Sequence, residues 1–292
     1  MIPLIILILI GVWVGLTQIG GAALLRRREP DIANPPDQYG MPYESVTFSS
    51  RDGVSLSGWW IPAPDNARGT IILCSGQAGS KDGDTELAIP LHQAGFAVLM
   101  FDYRAHGQSE GEAMTFGMFE KEDVLGAVDY VLTQRGTRQV GLYGLSMGGA
   151  VALITAALSD RVGAVVSDGG FARLKNTLAR WARKRGIPYL IGWQFAAWAL
   201  FAAALRTRGR IDQVDPILWA PHVRCPVLFI QGERDPFVTT AEVEAMAGMV
   251  KGEAEVWLVP QVGHRGAFQA ARKAYQGRVV AWFEQHLDPP TT

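Results

Sequence analysis

The sequence predicts an α/β protein whose sheet is mostly parallel and carries helices on both faces. Short, continuously apolar runs alternate with longer amphipathic or apolar segments from residue 69 to residue 170, and again from residue 226 to residue 287. A run that is apolar at every position is typical of a strand buried on both faces, and strands that alternate with helices form right-handed βαβ units. The chain has 292 residues, of which 48% are hydrophobic, so it is long enough to bury a sizeable core.

The overall charge is close to neutral and cysteine is scarce. The formal net charge is −1, and the only two cysteines, Cys74 and Cys225, lie at the ends of apolar runs. This balance gives no electrostatic reason to expect nucleic acid as a partner. Two cysteines in a chain of this size do not indicate a disulfide framework, and buried free thiols suit a reducing compartment.

Residues 1–28 are predicted to form a membrane anchor. The run Ile2–Leu25 carries no charge, and Arg26, Arg27 and Arg28 follow at once. A helix of this length measures about 36 Å, which exceeds the ~30 Å hydrocarbon core of a bilayer. Because arginine marks cytoplasmic flanks, we expect a single-pass membrane protein with its large C-terminal domain in the cytoplasm. A cleaved signal peptide, cut near residues 20–23, is the competing interpretation; the long run and the lack of a preceding basic side chain oppose it.

The folded domain is predicted to begin after a linker. Residues 29–42 contain four prolines and are read as a proline-rich, extended linker. The runs Glu44–Ser50 and Val54–Ile61 alternate around an Asp-Gly turn, which predicts a β-hairpin. The core is then divided into two parts, residues 43–170 and residues 211–287.

Within this core the apolar runs predict the strands and the intervening segments predict the helices. The predicted strands are Gly69–Cys74, Phe96–Phe101, Val140–Tyr143, Gly163–Val166, Pro226–Gln231 and Glu255–Val259. The predicted helices are Lys81–Gly95, Phe119–Gln134, the apolar segment that follows residue 146, Thr240–Val250 and Ala267–Leu287.

Residues 171–210 interrupt this alternation. They are basic at first and contain no acidic residue. The stretch from Ile187 to Leu205 is apolar and holds two tryptophans, Trp193 and Trp198. At least two helices fit this segment and no strand does. We expect a helical cap that forms an apolar pocket over the active site; a packed helical insertion and a helix lying in a membrane interface are the alternatives. A second transmembrane span also fits the length, but it would separate the candidate site residues.

A G-x-S-x-G motif lies where the third buried strand turns into a helix. Ser146 is at the turn, between Gly144 and Gly148. A serine on such a turn points its hydroxyl out of the sheet, and a side chain at either glycine would collide with the facing strand or helix. The helix aims its free N–H groups and its positive dipole end at this place. Ser146 is therefore the candidate nucleophile.

A serine hydroxyl needs a base to remove its proton, and the base needs a group that orients it. His264 lies in a loop of small residues just after the last predicted strand and is the candidate base. Of the four other histidines, His106, which lies in a loop, is the only rival base, and we expect its loop to be a turn packed beneath the site.

Three carboxylates compete for the orienting role. Asp235 follows the strand Pro226–Gln231, Asp168 follows the strand after the serine, and Glu233 lies close to Asp235. The order serine, aspartate, histidine, with each group at the carboxyl end of a strand, favours Asp235. Asp168 is the main alternative.

An oxyanion hole needs two N–H donors about 3 Å from the developing charge. The N–H of Met147, directly after the serine, is one candidate. The second is the N–H of Gln77, in the loop after the first buried strand, where Gly76 and Gly79 permit a close approach.

These motifs together resemble the α/β-hydrolase superfamily, in particular its serine aminopeptidase-like and monoglyceride-lipase-like (Bem46-like) branch. The stretches that carry the resemblance are Ser75–Gly79, Phe101–Ser109, Gly144–Gly149, Gly232–Asp235 and Gly263–His264. The resemblance implies an α/β-hydrolase fold, Ser146 as nucleophile with Asp235 and His264 as partners, and neither a metal nor an organic cofactor. The family often has His-Gly where this chain has Ser75-Gly76, which affects loop geometry and substrate fit more than catalysis.

The sequence therefore predicts a serine hydrolase that cleaves a small, apolar ester in the manner of a carboxylesterase or lipase. An aminopeptidase-like serine peptidase is the first alternative, but it would need carboxylates for the free amino group, and residues 171–210 have none. A non-catalytic, membrane-tethered scaffold is the second, but it predicts a broken triad, whereas all three positions are filled. The glycine spacings of nucleotide-binding loops are missing.

Overall fold

The computed structural model describes residues 2–65, 67–209 and 214–287, and within them eight strands form one sheet. The strands are β1 (Glu44–Ser49), β2 (Ser55–Ile61), β3 (Thr70–Cys74), β4 (Ala97–Phe101), β5 (Val140–Leu145), β6 (Val162–Asp168), β7 (Val227–Gly232) and β8 (Ala254–Val259). Their spatial order is β1-β2-β4-β3-β5-β6-β7-β8. The strand β2 is antiparallel to β1 and β4, and every other pair is parallel, so the predicted mostly parallel sheet is confirmed.

Helices cover both faces of this sheet. They are α1 (Ile2–Leu24), α2 (Ala88–Gln93), α3 (Glu120–Gln134), α4 (Met147–Leu158), α5 (Leu174–Arg183), α6 (Tyr189–Thr207), α7 (Thr240–Ala247), α8 (Ala267–Ala270) and α9 (Arg272–Leu287). The apolar sides of α3 and α4 share one core layer with the sheet, and those of α2 and α9 share the other. Because both faces are covered, the central strands are buried along their whole length.

The order of the strands reverses at β3. The chain passes from β3 outward to β4 and then returns to the other side of β3 to form β5. In open parallel sheets, a crevice opens at the carboxyl ends of the strands where the order reverses. The loops that follow β3 and β5 therefore lie side by side at this edge.

Two predicted helices are broken in the structure. Residues Lys81–Leu87 form a 3₁₀ helix, interrupted at Asp84, and only Ala88–Gln93 is α-helical. The side chain of Thr85 donates to the carbonyl of Asn34, so the segment is held by a part of the chain that local periodicity does not reveal. The predicted helix Ala267–Leu287 is split at Ala271, which lets the rings of Phe268 and Tyr275 meet edge to face at 5.6 Å.

Residues 29–42, predicted as an extended linker, include a 3₁₀ helix at Pro36–Tyr39 and bond to the sheet domain through Asp31 and Asn34. Just before them, the N–H of Arg28 donates to the carbonyl of Ala105 at 2.8 Å, and the carbonyl of Arg28 accepts from Gly107 at 3.1 Å. The guanidinium of Arg27 donates to three carbonyl groups in the stretch 107–111. The segment after α1 is thus part of the folded domain.

Two helices and no strand follow β6 within the described residues 171–209, as the composition predicts. We call α5 and α6 the helical insertion. Its glycine Gly192 lies against Ala182, which brings α6 close to α5, and Gly20 and Gly21 bring α1 close to the other side of α6. The predicted boundary at Arg210, and the frayed end predicted for residues 288–292, lie outside the described residues.

The helix α1 is long and apolar enough to cross a membrane, and among the described helices it is the only one that is. From Pro3 to Val12 it is exposed on all sides. From Trp13 onward one side is covered by α6, with Thr17 and Gly21 buried in the contact.

Candidate active site

The turn between β5 and α4 holds Ser146 in a conformation that side chains rarely adopt, with φ of 54° and ψ of −113°. The turn is close-packed, as predicted: a Cβ at Gly144 would overlap the carbonyl of Gly148, and one at Gly148 would overlap the carbonyl of Cys74. The N–H of Ser146 donates to the carbonyl of Asp168 at 2.7 Å. The strained backbone is therefore fixed by its neighbours, and the hydroxyl is left at the carboxyl edge of the sheet.

The structure brings Ser146, His264 and Asp235 into one hydrogen-bonded chain. His264 Nε2 lies 2.9 Å from Ser146 Oγ, and His264 Nδ1 lies 2.7 Å from Asp235 Oδ2. The two contacts join residues that are 118 and 29 positions apart in the sequence. This arrangement can move a proton from the hydroxyl to the imidazole while the carboxylate holds the ring.

The carboxylate of Asp235 is fixed from both ends. Its Oδ1 accepts from the N–H groups of Phe237 at 2.8 Å and Val238 at 3.1 Å, so only Oδ2 faces the histidine. The Asp235 side chain is 1% exposed, whereas that of His264 is 22% exposed. The ring of Phe237 meets the imidazole edge to face at 5.3 Å. The imidazole is thus held on one side and open to a substrate on the other.

The two rival carboxylates lie elsewhere. Asp168 is fully buried and accepts a hydrogen bond from the hydroxyl of Tyr275 at 2.7 Å, which in turn accepts from Tyr143 at 2.6 Å. Burial raises the pKa of Asp168 to about 6, against the hydrogen bond from Tyr275, which lowers it. Glu233 is exposed. Only Asp235, of the three candidates, bonds the histidine.

The rival base, His106, is buried beneath the site, as the sequence predicts. Its Nδ1 lies 2.8 Å from the carbonyl oxygen of Arg104, and its Nε2 lies 3.2 Å from the carbonyl oxygen of Gln77. Both ring nitrogens are therefore engaged with backbone. The second contact ties the ring to the loop that carries a predicted oxyanion donor.

The two predicted oxyanion donors belong to the two segments that adjoin the serine, the start of α4 and the loop after β3. Met147 is the first residue of α4, so its N–H has no acceptor within the helix. The loop after β3 passes directly over the turn: a Cβ at Gly76 would lie 3.7 Å from Ser146 Cβ and 3.5 Å from the Leu145 carbonyl oxygen. Gln77 follows in that loop. The loop therefore approaches the serine closely, and the role of the two N–H groups as oxyanion donors stays a prediction.

The loop after β3 is held in place by contacts from distant parts of the chain. Asp31 Oδ2 accepts from the N–H of Ser80 at 2.5 Å and from its hydroxyl at 3.1 Å. Next to it, the buried ammonium of Lys81 lies 2.6 Å from the buried carboxylate of Asp102. Sequence reasoning missed Asp31, because it lies in a proline-rich stretch with no periodicity.

Arg265 connects the histidine loop to the loop after β3. Its guanidinium forms an ion pair with Asp84, and its Nη1 would lie 3.2 Å from a Cβ at Gly76. Sequence reasoning missed this residue as well. An arginine directly after the candidate base, in a loop of small residues, is the signal that could have found it.

Comparisons with known proteins agree with this architecture. A family model for the alpha/beta hydrolase fold matches residues 69–186. The uncharacterised protein YfhR of Escherichia coli (strain K12) is 30% identical over 255 residues, which cover 84% of this chain and 82% of YfhR. The chain belongs to the α/β-hydrolase fold family. The branch within the superfamily stays a prediction.

Two further comparisons bear on this hydrolase. A structure of an esterase from Pyrococcus furiosus matches with a TM-score of 0.73 and 25% identity, covering 89% of this chain and all of that one (100%). An uncharacterised membrane protein of Saccharomyces cerevisiae is 29% identical over 146 residues, which cover 49% of this chain and 51% of the yeast protein. Family membership and the esterase neighbour support a hydrolase. That the enzyme needs no metal or organic cofactor stays a prediction.

Proposed function

We propose that this chain is a serine hydrolase that cleaves carboxylic esters. In the proposal Ser146 is the nucleophile, His264 is the general base and Asp235 orients the imidazole. The observation that carries it is the unbroken chain of hydrogen bonds of 2.9 and 2.7 Å from the hydroxyl to the carboxylate. The family and its esterase neighbour support the same chemistry.

The proposed reaction has two halves. His264 Nε2 takes the proton of Ser146 as Oγ attacks the ester carbonyl, and the protonated imidazole then gives that proton to the departing alcohol. The acyl group is left on Ser146 Oγ. A water molecule, deprotonated by the same nitrogen, then attacks the acyl carbon. As the bond from this carbon to Ser146 Oγ breaks, His264 returns the proton to Oγ, and the carboxylic acid is released.

The negative charge that forms on the carbonyl oxygen in each half needs donors that are already in place. We assign this role to the N–H groups of Met147 and Gln77. Met147 adds the positive end of the α4 dipole, and Gln77 lies on the loop that covers the serine.

We propose that the helical insertion is the cap of this site and that it separates two parts of the core, as the sequence predicts. Lys184, just past the end of α5, lies over the ring of Phe237 at 5.3 Å, and Phe237 in turn contacts His264. Residues 171–209 contain no acidic side chain to bind a free amino group. An apolar ester therefore fits this cap better than an aminoacyl peptide.

The test is labelling of the full chain with a fluorophosphonate probe, followed by a panel of nitrophenyl esters and aminoacyl anilides. We expect the wild type and Ser45→Ala, an exposed serine on β1, to label and to cleave the esters. Ser146→Ala should lose both activities. Labelling that survives in Ser146→Ala would move the nucleophile elsewhere, and faster anilide cleavage would favour a peptidase.

We further propose that α1 anchors the protein to a membrane, with the hydrolase domain on the cytoplasmic side. The length and composition of α1, the arginines that follow it, and the yeast relative described as a membrane protein support this. The contacts of α1 with α6, and of Arg27 with the sheet domain, favour an anchor that is kept over a signal peptide that is removed.

A further inference from the structure

One side of α6 is apolar and exposed along the whole helix. Its outward residues recur every three or four positions, which places them on one face. We call them the outer stripe of α6: Leu190, Gln194, Trp198, Phe201 and Leu205. The four apolar members are 74%, 51%, 49% and 61% exposed, in chain order. Soluble surfaces rarely leave so long an apolar stripe uncovered.

The other sides of α6 are already occupied. Gly192 packs on Ala182 of α5, and Ala202 packs on Gly21 of α1. The outer stripe is therefore the face that the described part of the chain leaves open. It is continuous with α1, since Trp13 of α1 lies beside Leu190 in a shallow apolar groove.

Basic side chains lie at both ends of the outer stripe. The exposed basic residues before α6 are Arg183, Lys184 and Arg185, and the exposed basic residues at its end are Arg206 and Arg208. Trp181, also exposed, carries the guanidinium of Arg185 over its ring at 3.4 Å. Apolar surface edged by tryptophan, arginine and lysine suits the boundary between acyl chains and anionic headgroups.

We propose that the outer stripe of α6 is a membrane-contact surface, with α6 lying along the interface of a bilayer that carries anionic headgroups. The stripe would be among the acyl chains, and the basic residues at both ends would be at headgroup level. This inference rests on the membrane anchoring proposed above and adds a second contact and an orientation to it.

The contacts at the two ends of α6 decide the orientation. The helix α6 has 19 residues and is therefore about 28 Å long. If α6 stood upright and crossed the bilayer, its two basic ends would lie at opposite faces of the membrane. Both ends are instead tied to the same sheet domain: Lys184 lies over the ring of Phe237, and the hydroxyl of Thr207 lies 3.8 Å from Met118 Sδ. If α6 lies flat, both ends reach the headgroups.

The same geometry orients α1. Trp13 lies 6.0 Å from the ring of Phe195, and Gly21 packs on Ala202, so the two helices run in the same direction. The second half of α1 therefore follows the membrane surface with α6. The turns Pro3–Val12, exposed on all sides, continue past the start of α6 and are the part of α1 that the bilayer can surround.

The test measures depth in vesicles of phosphatidylcholine and phosphatidylglycerol. The full chain would carry a fluorophore on a single introduced cysteine at Leu190, Leu205 or Leu4, in a Cys225→Ser background; Cys74 is buried. Lipids with a nitroxide near the headgroup or near the bilayer centre report depth by quenching. We expect equal, shallow quenching at Leu190 and Leu205. An upright α6 would separate the two by about 22 Å.

The three reporter sites distinguish the ways in which the proposal can fail. Unequal depths at Leu190 and Leu205, or quenching at neither while Leu4 is quenched, would overturn the flat α6 and leave the anchor standing. No quenching at Leu4 would overturn the anchor itself. Quenching of Leu190 and Leu205 fluorophores by each other, and not by lipid, would show that a second copy covers the stripe.

A charge-reversal pair tests the headgroup contact. The triple variant Arg183→Glu, Lys184→Glu, Arg185→Glu should lose quenching at Leu190 and keep it at Leu4. The matched control is Arg138→Glu, Arg224→Glu, Lys251→Glu, which makes the same charge change on exposed residues before β5, β7 and β8, at the opposite edge of the sheet. Equal quenching at Leu190 in both triple variants would contradict the proposed contact.

Discussion

The two sides of the candidate active site are held together in different ways. On the acid–base side, the loops after β7 and β8 fix each other: the N–H of Arg234 donates to the carbonyl of Val262 at 2.8 Å, and Asp235 binds His264. On the oxyanion side, the loop after β3 is held from outside, by Asp31 from a segment 49 residues earlier and by the ring of His106. One side is built from neighbouring loops, and the other depends on the docking of a distant segment.

The two sides therefore differ in what determines their geometry: the position along the strands on one side, and long-range tertiary contacts on the other. The acid–base groups follow strands directly, so their positions are set by the sheet once it forms. The oxyanion loop contains glycines and short side chains that leave its path open, so its path depends on tertiary contacts. We therefore expect substitutions on the first side to remove catalysis, and substitutions that loosen the second side to weaken it.

The largest expected effect in this comparison is on the acid–base side, from Asp235→Asn. The N–H groups of Phe237 and Val238 hold the oxygen of the side chain, so the new amide NH₂ points at His264 Nδ1. The amide then donates to Nδ1 and leaves the proton on Nε2, which can no longer accept one from Ser146. We expect kcat to fall by about 10⁴-fold, as for the equivalent change in a serine protease.

Measurement of kcat and KM for a nitrophenyl ester checks this, with Glu233→Gln as the matched control two residues away. Glu233 is exposed, and we expect that variant to behave as the wild type. Equal losses in both variants would mean that the carboxylate next to the histidine has no special role.

A smaller loss is expected on the oxyanion side, from Asp31→Ala. This change removes the carboxylate that accepts from the N–H and hydroxyl of Ser80, and its neighbours Gly79 and Gly83 lose a packing partner. The loop with Gln77 should then sample positions that misplace one oxyanion donor. Loss of a donor outright costs about 10²–10³-fold in kcat, so a loosened one should cost about tenfold.

Steady-state kinetics compare this variant with Asp37→Ala, an exposed aspartate of the same segment. We expect KM to change little and the temperature midpoint of unfolding to fall only in Asp31→Ala. If the two variants keep the same kcat, the docked segment is not needed to hold the oxyanion side.

Much of the fold and of the triad could be read from the sequence, because the information is local. Continuous apolar runs predict the parallel strands, and the glycines around Ser146 predict the turn from strand to helix. Asp235 and His264 are found because each follows a strand directly, and the structure brings both to the serine. The two helices of the insertion follow from composition alone.

The features that the sequence does not predict depend on contacts between segments that are distant in the chain. Lys81–Leu87 has the composition of a helix start, but its side chains bond to residues 31–34, and the segment becomes a 3₁₀ helix. The prolines of residues 29–42 predict an extended linker, but they show neither that the segment docks nor that Pro36–Tyr39 forms a 3₁₀ helix. The packing of α1 on α6 depends on Gly20 and Gly21, which look like ordinary members of an apolar run.

Asp168 lies beneath both sides of the site, and its replacement should have the smallest effect on turnover and a clear effect on stability. Its side chain bonds Tyr275 and not His264, so Asp168→Asn keeps an oxygen for the tyrosine hydroxyl and leaves the candidate triad intact. Burial raises its pKa from 3.8 in the unfolded chain to about 6 in the folded protein. The folded state therefore binds the proton more tightly than the unfolded state.

The sign of the pH dependence follows from this difference. Because the native state holds the extra proton, this group lowers the free energy of unfolding as the pH rises from about 4 to about 6, and its contribution is constant above that range. A rise of about two units in the pKa of Asp168 corresponds to a loss of at most about 3 kcal/mol in the free energy of unfolding.

Thermal unfolding of the wild type and Asp168→Asn tests this sign. The two proteins should have similar midpoints near pH 4, and the variant should have the higher midpoint near pH 8. The exposed Asp160→Asn should show no such divergence. A constant offset between wild type and Asp168→Asn at every pH would mean that Asp168 keeps its charge in the folded protein, and the link from Tyr143 through Tyr275 would then stabilise a carboxylate beneath the site.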